Sequence, residues 1–205
     1  MSIVKLSNNG VKNATAFGSA VTSLGSMRFI KKLTASSSAT LSFVDGSSDV
    51  VLDDTYKEYL FTFNNIHPQT SDANFTVGFR DGSTDYDATK TTTYFRAYHA
   101  EDGSGQALEY QDEDLAQSTD FHKLTTDLGA ENDEGCSGFM RLFNPSSNVF
   151  VKHFISELSV YSQNDYNYHV FTSGYCNTTT AIDAVQFKMH SGDISSGDLC
   201  VYGIA

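Results

Sequence analysis

The sequence predicts an all-β fold, a single antiparallel β-sandwich. Two observations lead there. Thr, Ser, Phe, Tyr, Val and Asp are common while Leu-rich helical stretches are scarce, a composition that fits a pleated, half-buried surface. Turns are frequent and hold 15 Gly, mostly beside Asp, Asn or Ser, and the runs between them alternate with period two. At 205 residues the chain is long enough for one well-buried core, or a core with an extended arm, but not for two full domains.

The elements follow in order. Residues 1–26 are small and polar, with Ile3, Val4, Leu6, Val11 and Phe17 too sparse to make a core element. They read as an extended N-terminal docking arm, or else as a short first strand and a surface loop. Strands are expected over residues 27–35, 39–45, 56–66 and 73–80. In the last of these, Phe75, Val77 and Phe79 share one face and Asn74, Thr76 and Arg80 the other. Further strands are expected over 138–144, 148–156, 166–175, 182–189 and 198–205, separated by breaks such as Asn144-Pro145 and Ser191-Gly192-Asp193. The last run is apolar on both faces, Leu199 and Val201 against Cys200, Tyr202 and Ile204, which places it inside a sheet or under a partner. The sandwich domain therefore spans 27–205, with one long insertion over 84–137. Within that insertion Ala107, Leu108, Leu115 and Ala116 suggest one short helix, and Tyr94, Phe95, Tyr98 and Tyr110 argue against disorder.

A formal net charge of −12, from 13 basic and 25 acidic residues, excludes a phosphate-reading surface and adhesion to an anionic membrane. No stretch reaches the length of a membrane helix, and the N-terminal residues lack the apolar core of a signal peptide, so synthesis in the cytosol and no membrane insertion are expected. Cys136, Cys176 and Cys200 are odd in number and widely spaced, which indicates buried thiols instead of a disulfide framework or a zinc site.

No catalytic pattern emerges. There is no GxSxG elbow, and the six histidines share no helical i, i+4 pairing. Twenty-five acidic residues guarantee that some pair lies close, so their abundance is no evidence for glycoside hydrolysis. The chain is expected not to be an enzyme and to need no cofactor. Asp81, Asp85 and Asp87 in "RDGSTDYD" offer hard oxygen donors for a structural calcium, but Asp-Gly hairpin turns produce the same letters for backbone reasons. The stretch "YFRAYH", with Tyr94, Arg96, Tyr98 and His99 along one alternating face, is the best candidate for stacking a sugar. An inter-strand aromatic cluster covering a second core is the competing reading.

The order of "FIKKLTASSSATLSFVDG", "YKEYLFTFNNIHPQT", "YFRAYHAEDGSGQALEYQDEDLAQST", "GFMRLFNPSS" and "IDAVQFKMHSGDISSGDLCVYGIA" resembles the small virion structural proteins of tailed bacteriophages that infect marine bacteria. The resemblance covers roughly residues 27–205 and is specific as a combination. It implies a jelly-roll-like fold and a virion role, with no functional residues to carry over. The expectation is a non-enzymatic virion protein of the tail or its fibres, with a capsid-decoration or head-fibre protein as runner-up and a carbohydrate-binding module as the reading from another class. Expected partners are other virion proteins, further copies of the chain with a trimer favoured, and a host-surface glycan; nucleic acid is not among them.

Overall fold

The computed structural model describes residues 26–205, so the arm residues Ile3, Val4, Leu6, Val11 and Phe17 lie outside the described residues. The described chain runs through β1 (Met27–Ser38), β2 (Leu41–Val44), β3 (Glu58–Pro68), β4 (Phe75–Arg80), β5 (Lys90–Ala100) and β6 (Gln106–Tyr110). It continues through β7 (His122–Lys123), β8 (Gly135–Phe143), β9 (Lys152–Tyr161), β10 (Tyr166–Cys176), β11 (Ala184–Met189) and β12 (Ile194–Ile204). These make two antiparallel sheets: an eight-stranded one in the order β1-β12-β3-β8-β9-β10-β5-β6, and a four-stranded one in the order β2-β11-β4-β7.

The period-two pattern explains how the sheets meet. In β3, Tyr59, Phe61 and Phe63 turn inward while Leu60 and Thr62 are only half-buried on the other face. Phe187 of β11 then sits among Phe43, Phe61, Phe63 and Phe75, with ring centroids 5.1 to 6.3 Å away. Rings from both sheets thus form one aromatic core, each buried ring contributing on the order of 2 to 3 kcal/mol through the apolar area it removes from water. The second contact between sheets is Phe79 of β4 on Phe154 of β9, at 5.0 Å.

The closing run behaves as its two apolar faces require. β12 lies between β1 and β3, with Leu199 and Val201 fully buried and Tyr202 against Phe29 at 5.6 Å on the other face. A bulge at Asn64 and Asn65 interrupts β3, Asn65 taking a left-handed φ of 49°. Opposite it Gly197 has φ 123°, and a Cβ there would come within 2.6 Å of the Asn65 carbonyl oxygen, so only glycine lets the two backbones approach.

The region 84–137 differs from the expected insertion. It supplies β5 and β6, which extend the large sheet, and β7, which closes the small one. The short helix is absent, and the described residues form no helix at all. Ala107 and Leu108 belong to an edge strand whose residues alternate between exposed and half-buried, and Leu115 and Ala116 lie in the loop after it. Pairs of neighbouring apolar residues set that far apart suit a strand followed by a loop as well as they suit a helix. The loop returns along the free edge of β5: the Thr92 amide donates to the Leu115 carbonyl at 2.9 Å, the Leu115 amide to Thr92 Oγ1 at 2.8 Å, and Lys90 and Ser118 form an antiparallel bridge.

Candidate functional site

Antiparallel register brings the tyrosines of two neighbouring strands together. Tyr98 of β5 pairs with Tyr168 of β10, and Arg96 pairs with Val170 on one side and with Glu109 of β6 on the other. The result is a cleft of about 340 Å³ lined by Arg96, Tyr98, Glu109, Gln111, Tyr166 and Tyr168. The Tyr98 and Tyr166 rings meet edge to face at 5.6 Å, and both are half-buried.

Arg96 holds the floor of the cleft. Its guanidinium lies 4.2 Å from the centroid of the Tyr168 ring, Nε donates to Glu109 at 3.0 Å, and Nη1 donates to Asp127 and to Thr126 Oγ1, both at 3.2 Å. Burial works against its charge, but the bond to Glu109 and the neighbouring tyrosines and Asp127 outweigh that and raise its pKa. An arginine so engaged fixes its neighbours and has few donors left for a ligand. What the cleft offers a ligand is two aromatic surfaces with the Glu109 carboxylate and Gln111 carboxamide beside them. That donor set has the chemistry to stack on and hydrogen-bond a ring bearing hydroxyls; it contains no activated nucleophile.

Of the four residues expected to contact glycan, the structure brings only Arg96 and Tyr98 into this cleft. Tyr94 is fully buried, its hydroxyl 3.4 Å from Thr126 Oγ1 and its pKa pushed up by burial, so it belongs to the core. His99 is exposed and, one residue on from Tyr98, faces the opposite side of the sheet. Strict alternation separates adjacent residues, so one face cannot carry both. Tyr166 and Tyr168 were legible only as strand residues, because their partnership with Tyr98 depends on the β5 to β10 pairing.

Asp81, Asp85 and Asp87 lie in the turn after β4. Ser83 Oγ sits 3.3 Å from the Asp87 carboxylate and accepts from the Asp85 amide at 3.0 Å, the local bonding of a polar turn. Among the described residues no three His, Cys, Asp or Glu side chains converge as a metal site would require.

A buried polar group lies at the other end of the same sheet. Cys176 of β10 stands in register between Lys90 of β5 and Lys152 of β9, and both lysines are fully buried. Lys90 Nζ donates to the carbonyls of Ala88 at 2.9 Å and Thr119 at 3.3 Å; Lys152 Nζ donates to Thr178 at 3.1 Å and to Thr180. Burial pushes both pKa values down. Each ammonium ties a loop to the sheet through otherwise unpaired carbonyls. Nearby His122 is fully buried against Phe154, with neither ring nitrogen hydrogen-bonded to the protein, and burial beside Lys90 pushes its pKa down to about 3. A neutral, unpartnered imidazole packed this way is structural.

A cavity of about 480 Å³ lies at the bulge end of the large sheet and is lined by polar groups including Asn65, His67, Glu134 and Tyr161. His67 Nε2 is 2.7 Å from the Glu131 carbonyl. No hydrogen bond in that cavity joins a nucleophile to a base. No protein-family model matches the chain, and no curated protein or solved structure matches it either.

Proposed function

We propose that the chain is a non-enzymatic structural subunit of a tailed-bacteriophage virion, an accessory component of the tail or its fibres, built as a jelly roll. The observation that carries this reading is the strand order. With β1, β2, β3, β4, β7, β8, β11 and β12 counted one to eight, the large sheet begins one-eight-three-six and the small sheet is two-seven-four-five. That interleaving is the one expected of the double Greek key of jelly rolls, an architecture of viral coat domains and lectins, and so supports the reading. The hairpins β9-β10 and β5-β6 widen one sheet without altering it. The sequence resemblance to virion proteins supports the same reading, and residues 1–26 are assigned the docking role.

The test is position in the particle. Gold-labelled antibody on purified particles is expected at the tail; label on the head lattice would favour a capsid-decorating or head-fibre role, and particles lacking the chain would end the virion reading. Removing residues 1–26 is expected to abolish incorporation, and retained incorporation would refute the arm.

The tyrosine cleft favours a second reading, glycan recognition, either as the host-binding function of the virion subunit or as a free carbohydrate-binding module. Binding of host polysaccharide, measured by calorimetry, is expected to be lost in Tyr98→Ala and Tyr166→Ala with the fold intact. Undiminished binding in both would remove the cleft from consideration, and release of reducing ends would contradict a non-enzymatic role.

A further inference from the structure

Among the described residues, most of the large exposed apolar side chains gather on one surface. Met27, Phe29, Phe95, Leu108, Tyr110 and Ile155 are all exposed, and all stand on the outer face of the large sheet. The remaining large exposed apolar residues, Val149 and Phe150, lie in the β8-β9 connection at the end of that sheet. Cross-strand register joins these residues into rows. One runs Phe171, Phe95, Tyr110 across three strands, the first two rings stacked at 5.1 Å; another runs Phe29, Tyr202, Leu60. The outer face of the small sheet is different in kind. Gln186 is bonded to Ser42 there, Lys188 lies 4.2 Å from the Phe121 ring centroid, and the same ring covers Gly78. An exposed face of aromatic rows opposite a polar one is the kind of surface that marks an interaction site.

Charge and area indicate what that partner is. The charged side chains on the face are engaged with neighbours: Lys32 forms an ion pair with Asp198 at 3.0 Å and Arg141 with Glu58 at 3.0 Å, and the Glu157 carboxylate is hydrogen-bonded to His169 Nε2 at 2.8 Å. A strongly basic or acidic partner would find no cluster of free like charges to meet. A second copy, repelled elsewhere by a net charge of −12, meets little net charge here, where two ion pairs cancel and the Glu157 carboxylate is hydrogen-bonded to His169. Eight strands about 4.8 Å apart span ~34 Å, and about seven residues along each span ~23 Å. The face therefore offers roughly 800 Å², about what a stable interface buries on each side.

We propose that the outer face of the eight-stranded sheet is the surface through which this chain associates with further copies of itself. The inference deepens the structural-subunit reading, and rests on it only for the supposition that the chain works as a homo-oligomer. The experiment is light scattering on the purified full chain between about 1 and about 100 μM, a range in which a specific interface is populated. The mass is expected to be an integral multiple of one chain. The variant Phe95→Lys with Ile155→Lys is expected to fall to a single-chain mass with an unchanged circular-dichroism spectrum. A second variant, Thr93→Glu with Ser159→Glu, changes only polar positions on the face and is expected to do the same, so the test survives misfolding of the first.

A single-chain mass for the unaltered protein at every concentration, or a folded variant that keeps the full mass, overturns the proposal. A monomer that associates only after residues 1–25 are deleted also overturns it, by giving the face to the chain's own N-terminal segment. The measurement uses no virions. A negative result here therefore leaves particle incorporation to its own test.

Discussion

Lowering the pH from 7.5 to 5.0 is expected to destabilise this protein chiefly through His122. The imidazole is fully buried and neutral, with both nitrogens unpartnered and its pKa pushed down to about 3, whereas in the unfolded chain it titrates near 6.5. The unfolded state then binds more protons than the folded state throughout the window between those values. Stability is therefore full above about pH 6.5, falls as the pH drops below it, and levels off near pH 3. At pH 5.0 the unfolded imidazole is favoured in its charged form by about 30 to 1, worth ~2 kcal/mol, or 1.36 kcal/mol for each of about 1.5 pH units. Urea titrations at pH 7.5 and 5.0 on the unaltered chain and on His122→Leu measure the difference. The variant should lose ~2 kcal/mol less between the two pH values. Equal losses would refute the reasoning, because the folded imidazole would then be gaining its proton as readily as the unfolded one.

Further outcomes follow from the packing. Phe187→Ala removes the ring that joins the two sheets at the centre of the core and should cost about 3 to 5 kcal/mol in a urea titration, while a loss under about 1 kcal/mol would mean that the four surrounding rings are not its packing partners. Lys152→Met leaves the Thr178 and Thr180 carbonyls without their buried donor. Amide exchange should quicken over residues 177–183 relative to β9, and unchanged exchange would show that the ammonium does not hold that loop. Ending the chain after Cys200 deletes Val201 and four of the register pairs that β12 makes with each of β1 and β3. The product should show no cooperative melting transition, and a sharp one would contradict an interior role for that strand.

The fold was legible where residues alternate sharply and obscure where they do not. In β4 and β11 apolar inward positions contrast with polar outward ones, and the expected strands lie where the structure has them. β5 was read as part of an insertion because "KTTTYFRAYHA" places Lys90 and Thr92 on its inner face, where polar residues hide the period. Lys90 and Lys152 are inward because carbonyls from distant loops receive them, a reason that exists only in the folded chain. The candidate cleft was half visible. Arg96 and Tyr98 lie on one strand, and simple alternation already separates His99 from them. Tyr166 and Tyr168 needed the pairing of β5 with β10, two strands about seventy residues apart whose adjacency no local pattern encodes. The outer face of the large sheet was hidden for a related reason: each of its rows joins three strands drawn from distant parts of the chain, so their apolar residues are scattered along the sequence.

The central claim is that this chain is a structural part of a virion. Quantitative mass spectrometry of purified particles, with labelled peptides from this chain and from the major coat protein, tests it most directly. The account predicts a fixed number of copies per particle that survives washing in high salt. Absence from the particles, or a copy number that falls with each wash, would contradict it.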